Sequence, residues 1–305
     1  MSGRYAARLG ARCAAVGTVL CLGLDPDPAA LPPGFLPDLA GVERFAGLIL
    51  EAALPRAAAV KANLAFFEAF GSEGLAALER LRARIPADVP FIADAKRADI
   101  GSTAERQAVA LFDRLGADAV TASPYLGSAA IGPLLERADR FVYVLCRTSN
   151  AGAGEVQDVP VAADASAGWP AEPLHQRVAR LAARWGERFE TVGLVVGATA
   201  PHELTAIRAL APELPFLVPG LGAQGGDLAG VLADGTVRAG PWAAQAGQGL
   251  VVNVSRGIAQ AALEGKEPGA AIEAAAARWA ARLSGATITV GTPAGGGVSD
   301  AQHRA

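Results

Sequence analysis

Cysteine and histidine each occur three times in this 305-residue chain, methionine once, and aromatic residues make up only 6% of it. Cys13, Cys21 and Cys146 form neither a paired framework nor a Cys-x-x-Cys motif, which excludes a disulfide scaffold. They read as small apolar side chains of a protein in a reducing compartment, the cytoplasm. His175, His202 and His303 share no metal-ligand spacing and are expected on solvated helix faces or in the tail, so zinc and histidine-activated nucleophiles lack support. A charge excess is also missing. Against 27 basic side chains stand 30 acidic ones, and the net charge of −3 speaks against a general binder of nucleic acid or anionic membranes. Gly, Asp, Lys or Asn interrupts every apolar run well short of the roughly 18 residues a membrane span requires. The start, MSGRYAARLGARCAAVGTVLCLGLD, carries arginines but no unbroken apolar stretch followed by a cleavage site, so no signal peptide is expected.

Aliphatic residues are what the chain has instead. Hydrophobic residues reach 51%, enough for one large core or two ordinary ones and too many for a disordered chain. Short β-rich apolar runs recur at 19–25, 58–63, 90–96, 117–123, 141–149, 192–199, 215–223 and 249–257. Between several of them, at 68–84, 102–115, 172–188, 201–211 and 268–283, apolar residues fall at helical three- and four-residue spacing. Near-continuous apolar strands suit a parallel sheet buried on both faces. Strand then helix, eight times over, predicts a single (β/α)8 TIM barrel over 1–283 and a Gly-rich, partly disordered tail over 284–305. Two connections, 150–171 and 225–248, exceed the usual loop length and follow strand C-termini.

Barrels of this kind display their reactive groups at strand C-termini, where Asp25, Lys61, Asp94, Lys96, Ser123, Thr148, Ser149 and Arg256 interrupt the apolar runs. Asp94 and Lys96 lie two apart, hence on one strand face, either as chemistry or as an ion pair closing the barrel top. Asp99 follows, and Ser102 with Glu105 has capping-box spacing for the next helix, whose positive end Asp99 would also favour. Gly220-x-Gly222-x-x-Gly225 is formally a dinucleotide fingerprint. It falls too late in the chain and lacks the acidic partner, so a phosphate-approaching glycine loop beside Arg256 is the better reading.

Together these segments resemble the orotidine 5′-phosphate decarboxylases, in particular a longer bacterial subgroup. The resemblance rests on DAKRADIGST (94–103), VKAN (60–63), PGLGAQGGD and VVNVSRGI in the family's order, with CLGLDPDP and RTSNAGAGEVQD, and runs from about 19 to 260. Ala62, Ala98 and Ala151 stand where the subgroup carries Pro, Gly and Pro. The resemblance implies a cofactor-free and metal-free decarboxylation of orotidine 5′-monophosphate, with Lys61, Asp94, Lys96 and Asp99 as the charged array and Lys96 as proton donor. It implies a homodimer in which Asp99 and Thr103 reach the neighbouring subunit's site. Asp25 would bind ribose and Ser149 or Thr148 the pyrimidine. Gln224 would bridge base and phosphate, with Gly222 and Arg256 at the phosphate. Two alternatives remain open: a sugar-phosphate aldolase or decarboxylase of the same barrel group, metal-dependent or Schiff-base, and a non-catalytic nucleotide-binding barrel. The metal-dependent form would put an acidic metal ligand where this chain has Lys61, which argues strongly against it.

Overall fold

A computed structural model describes residues 4–222, 224–264 and 267–287 of the chain. Strands β1 Leu20–Leu24, β2 Ala59–Asn63, β3 Phe91–Arg97, β4 Ala119–Ala122, β5 Phe141–Arg147, β6 Val192–Val196, β7 Phe216–Val218 and β8 Leu250–Val254 run parallel and close into one barrel. Every residue of β1, β4, β6, β7 and β8 is buried. That explains why the strands read as continuous apolar runs: one face fills the barrel and the other meets the helices. Each Val, Leu or Ile withdrawn from water in this way contributes about 1.5–3 kcal/mol before the entropy of ordering is counted.

Helices alternate with the strands as expected, among them Leu39–Ala53, Gly71–Ala83, Leu174–Phe189, Pro201–Leu210, Leu228–Asp234 and Pro268–Arg282. Asp38 caps the first by accepting the Gly41 N–H at 2.8 Å. The expected capping box at Ser102 and Glu105 is not formed. The helix Gly101–Ala108 already includes Ser102, and its N-cap, Ile100, makes no side-chain bond. The Asp99 carboxylate instead accepts the Ile100 N–H at 2.8 Å.

The N-terminal end of the barrel is sealed by packing. A helix at Arg4–Val16 carries Tyr5 under the barrel, stacked on Phe141 with ring centroids 4.9 Å apart. Trp242 meets Phe141 edge-on at 5.5 Å. The 225–248 connection is therefore not a site loop throughout: it forms the helix Leu228–Asp234 and then returns to the far end. Nearby, buried Asp118 accepts two bonds from Arg8 (2.5 and 3.2 Å) and the Phe91 N–H (2.9 Å), which offsets the cost of burying its charge.

All three cysteines are free and buried, in keeping with their reading as apolar side chains. Of the histidines, His202 is exposed as expected, whereas His175 is buried because the 150–171 excursion folds over it. His303 and the tail beyond 287 lie outside the described residues; Ser284–Thr287 form a 3-10 turn. Among the described residues no helix is long and apolar enough to cross a membrane.

Candidate active site

Parallel register brings charges from three adjacent strand ends together. Lys61 on β2 is buried, and its Nζ donates to Asp94 Oδ2 at 2.9 Å and lies 3.7 Å from Asp25 Oδ1. Lys96 Nζ donates to the other Asp94 oxygen at 2.6 Å. Asp25 also accepts the Asn63 N–H at 3.0 Å, which fixes its carboxylate at the mouth of β1. Burial by itself would pull the Lys61 ammonium down; the charges of Asp25 and Asp94 and the Asp94 bond outweigh it and hold Lys61 above the ordinary lysine value. For Asp94, burial pushes upward, but the charges and hydrogen bonds of Lys61 and Lys96 win and hold it well below the ordinary carboxylate value. Both groups are charged at neutral pH.

Strict alternation places Asp94 and Lys96 on one face, and the structure unites them by another route. The β3–β4 register shifts between Ala93 and Arg97, and Lys96 has φ +50°. A non-glycine residue in that left-handed region costs on the order of 1–3 kcal/mol and persists only where its surroundings enforce it. Thr121 on β4 provides the enforcement. Its buried Oγ1 accepts the Lys96 N–H at 2.9 Å and donates to Asp94 Oδ1 at 2.8 Å. Because a backbone N–H can only donate, the hydroxyl proton is directed at Asp94. Arg97 turns away, donating to the Ala95 carbonyl and to Glu68.

A cavity of about 700 Å³ opens above this cluster at the C-terminal end of the barrel. Of the residues expected there, Asp25, Lys61, Asp94, Lys96, Thr148, Ser149, Gln224 and Arg256 line it. Gln224 reaches across to Ser149, whose Oγ donates to Gln224 Oε1 at 3.4 Å. Thr148 is engaged elsewhere: its Oγ1 donates to Asn150 at 2.6 Å and accepts from Gln157 Nε2 at 2.8 Å. Arg256 opens the turn after β8 and makes no ion pair among the described residues, so its guanidinium is available to an anion. Gly220 and Gly222 adopt φ +101° and +87°, which bends the chain after β7 toward that guanidinium.

Asp99, Thr103 and Gly222 do not line the cavity. Gly222 supports it from behind, since a Cβ there would come within 3.3 Å of the Trp279 ring. The Asp99 N–H donates to the Ala130 carbonyl at 3.3 Å, on the helix Ser128–Leu135; Ile100 next to Asp99, and Tyr125 and Leu126 just before that helix, are 70%, 84% and 54% exposed. Sequence reasoning missed Thr121, Asn63 and Asn253, which also line the cavity. The one signal for Thr121 and Asn253 is a lone polar residue inside a buried apolar strand.

A second cavity, of about 500 Å³, lies at the sealed end and has Glu187, Glu190 and Glu213 as its ionisable lining, the wrong sign for a phosphate. Among the described residues no three His, Cys, Asp or Glu side chains group as metal ligands would.

A closed parallel barrel with a Lys–Asp–Lys cluster at the floor of an open C-terminal cavity is the build of a (β/α)8-barrel enzyme. Residues 18–274 match the orotidine 5′-phosphate decarboxylase / HUMPS family, and the chain belongs to it. It is 48% identical over 265 residues to the orotidine 5′-phosphate decarboxylase of Roseiflexus castenholzii, covering 86% of this chain and 89% of that one. With the enzyme of the same name from Herpetosiphon aurantiacus it shares 45% identity over 241 residues, 79% and 84% of the two chains. The structure of Leishmania donovani OMP decarboxylase superposes with a TM-score of 0.75 at 36% identity, covering 94% of this chain and 98% of that one.

Proposed function

We propose that this chain is a carboxy-lyase that converts orotidine 5′-monophosphate to uridine 5′-monophosphate and CO2, the last step of de novo pyrimidine synthesis. Family membership supports the reaction, and the observation that carries it is the Lys61–Asp94–Lys96 cluster beneath a nucleotide-sized cavity. Breaking the bond from C6 of the pyrimidine to the carboxylate carbon leaves its electron pair on C6. The Lys96 ammonium beside it stabilises that carbanion and then gives C6 a proton; solvent reprotonates the amine. Asp94 holds the Lys96 ammonium in place and Lys61 in turn holds Asp94, so the reading needs no cofactor. Lys61 also argues against the metal-dependent alternative, because its ammonium already sits between Asp25 and Asp94, where a divalent cation would compete for the same oxygens.

In this reading Asp25 binds the ribose, Ser149 and Gln224 meet the base, and Arg256 with the 220–222 turn takes the phosphate. Ser149 suits the base-reading role better than Thr148, whose hydroxyl is already committed to Asn150 and Gln157. Asp99 and Thr103 serve a second copy of the chain across a two-fold axis; their absence from this cavity and the exposed Ile100, Tyr125 and Leu126 beside them support a homodimer. Free, buried cysteines suit the cytoplasm.

The test is the loss of orotidine 5′-monophosphate absorbance with purified protein, with and without a chelator. Turnover is expected in both, and Lys96→Ala is expected to abolish it while retaining the fold. Wild-type rates from Lys96→Ala would overturn the proton-donor role; no turnover by the wild type would overturn the reaction.

A further inference from the structure

The 150–171 excursion carries a side chain that reaches back to the site without lining it. After β5 the chain passes Thr148 and Ser149 at the cavity wall and forms a single helical turn, Gly154–Gln157. It then pairs Pro160–Val161 with Glu172–Pro173 before entering the helix Leu174–Phe189. From the end of that turn the Gln157 amide clasps Thr148 twice. Its Oε1 accepts the Thr148 N–H at 2.9 Å, and its Nε2 donates to Thr148 Oγ1 at 2.8 Å. Arg147 completes the enclosure by donating from Nη1 to the Thr148 carbonyl at 3.2 Å. Thr148 therefore has its N–H, hydroxyl and carbonyl all satisfied at the point where β5 leaves the sheet and a ladder no longer supplies partners.

Gln157 is itself anchored. Its carbonyl accepts the buried His175 Nδ1–H at 3.0 Å, and its neighbour Asp158 pairs with Arg147 at 3.2 Å. Further out, the guanidiniums of Arg177 and Arg184 both lie over the Trp169 ring, 5.1 and 4.1 Å from its centroid, and Glu172 accepts from Arg177 and Arg180 at 2.9 and 2.8 Å. These contacts pin the excursion to the helix as a brace and suit it poorly to a swinging lid.

We infer that Gln157 is a positioning residue, which sets the place of Ser149 through Thr148 and so orients the base-reading wall of the cavity. This rests on the reading above that Ser149 meets the pyrimidine. Ser149 directly follows the clasped Thr148, and its bond to Gln224 is long at 3.4 Å and so depends on backbone placement.

The experiment compares two ligands that share the ribose phosphate and differ in the base: uridine 5′-monophosphate and ribose 5-phosphate, measured by calorimetry. Gln157→Met removes both clasp bonds at similar volume. It is expected to weaken uridine 5′-monophosphate by about ten-fold and leave ribose 5-phosphate within about two-fold, since one or two hydrogen bonds to a base-reading segment are at stake. Gln157→Glu still accepts the Thr148 N–H and is expected to recover most of the loss. Gln157→Ala carries the test should the methionine variant not fold. Unchanged uridine 5′-monophosphate binding, or parallel loss of both ligands, would overturn the inference, the latter because general loosening spares neither. Ser149→Ala is measured alongside. If it too binds uridine 5′-monophosphate like the wild type, the base-reading role falls and the inference with it. If it alone weakens binding, only the role of Gln157 falls.

Discussion

Thr121 stands between the backbone of Lys96 and the carboxylate of Asp94, accepting from the first at 2.9 Å and donating to the second at 2.8 Å. One hydroxyl thus holds both the left-handed main chain of the proposed proton donor and the rotamer of its counter-ion.

The first prediction follows from that clasp. Thr121→Val, which keeps the shape and removes the hydroxyl, is expected to lower kcat by about thirty-fold, the equivalent of ~2 kcal/mol for a buried hydrogen-bonding pair to a charged group. Thr121→Ser is expected to stay within a few-fold of the wild type. Steady-state kinetics on the two variants decide it, and equal kcat values would deny Thr121 this role.

The second prediction concerns charge and pH. Asp94 is held below its ordinary value, so its stabilisation is complete above the unfolded carboxyl value of about 4 and is lost as pH falls through the lower folded value. Lys61 is held above its ordinary value, so its contribution is complete below about 10.4 and is lost as pH rises through the higher folded value. Asp94→Asn leaves the buried Lys61 with Asp25 alone at 3.7 Å and is expected to cost about 3 kcal/mol or more. Denaturant unfolding should show that deficit unchanged from pH 5 to 9 and shrinking only in stronger acid. A deficit that vanished between pH 5 and 7 would contradict the charge state assigned to Asp94.

Arg256 supplies the third. It lines the cavity without an ion-pair partner among the described residues, so the substrate phosphate is its proposed counter-charge. Arg256→Ala is expected to reduce kcat/KM by at least about a hundred-fold, corresponding to ~3 kcal/mol for a desolvated charge pair. Orotidine without its phosphate should be a very poor substrate for the wild type and no worse for the variant. Equal processing of nucleoside and nucleotide by the wild type would rule out a phosphate site at 220–222 and 256.

A fourth prediction tests the shared site. Lys96→Ala and Asp99→Ala are each expected to be inactive alone. Mixed under conditions of subunit exchange, they form dimers in which one site carries both defects and the other neither, so activity should return. Exchange proven by mass, with no recovered activity, would assign Asp99 to its own subunit.

How much of this was legible in the sequence varies with the range of the interaction. Eight apolar runs became eight barrel strands because burial on both faces of a parallel sheet leaves a mark at every position. Asp25, Lys61, Asp94, Lys96 and Arg256 stood out because a charge ending an apolar run is costly unless the fold uses it. The helix start at Ser102 misled, since its spacing describes a local bond that the chain forms through Asp99 and Ile100 instead. The histidine reading failed at His175 for a similar reason: nothing local shows that the 150–171 excursion folds back over it.

The sequence by itself determined the barrel, the sign and order of the charges at its C-terminal rim, and the family, since these are set by composition and short-range pattern. Tertiary structure alone decided which groups share an atom. Thr121 meets Asp94 across 27 positions, and Ser149 meets Gln224 across 75, through strand register and loop path that no local period encodes. It also set Lys96 in a left-handed conformation that its residue type disfavours, and left Asp99 outside the cavity of its own chain. Apolar burial is additive and local enough to be read along the chain, whereas hydrogen-bond geometry depends on two distant segments arriving within a few tenths of an ångström.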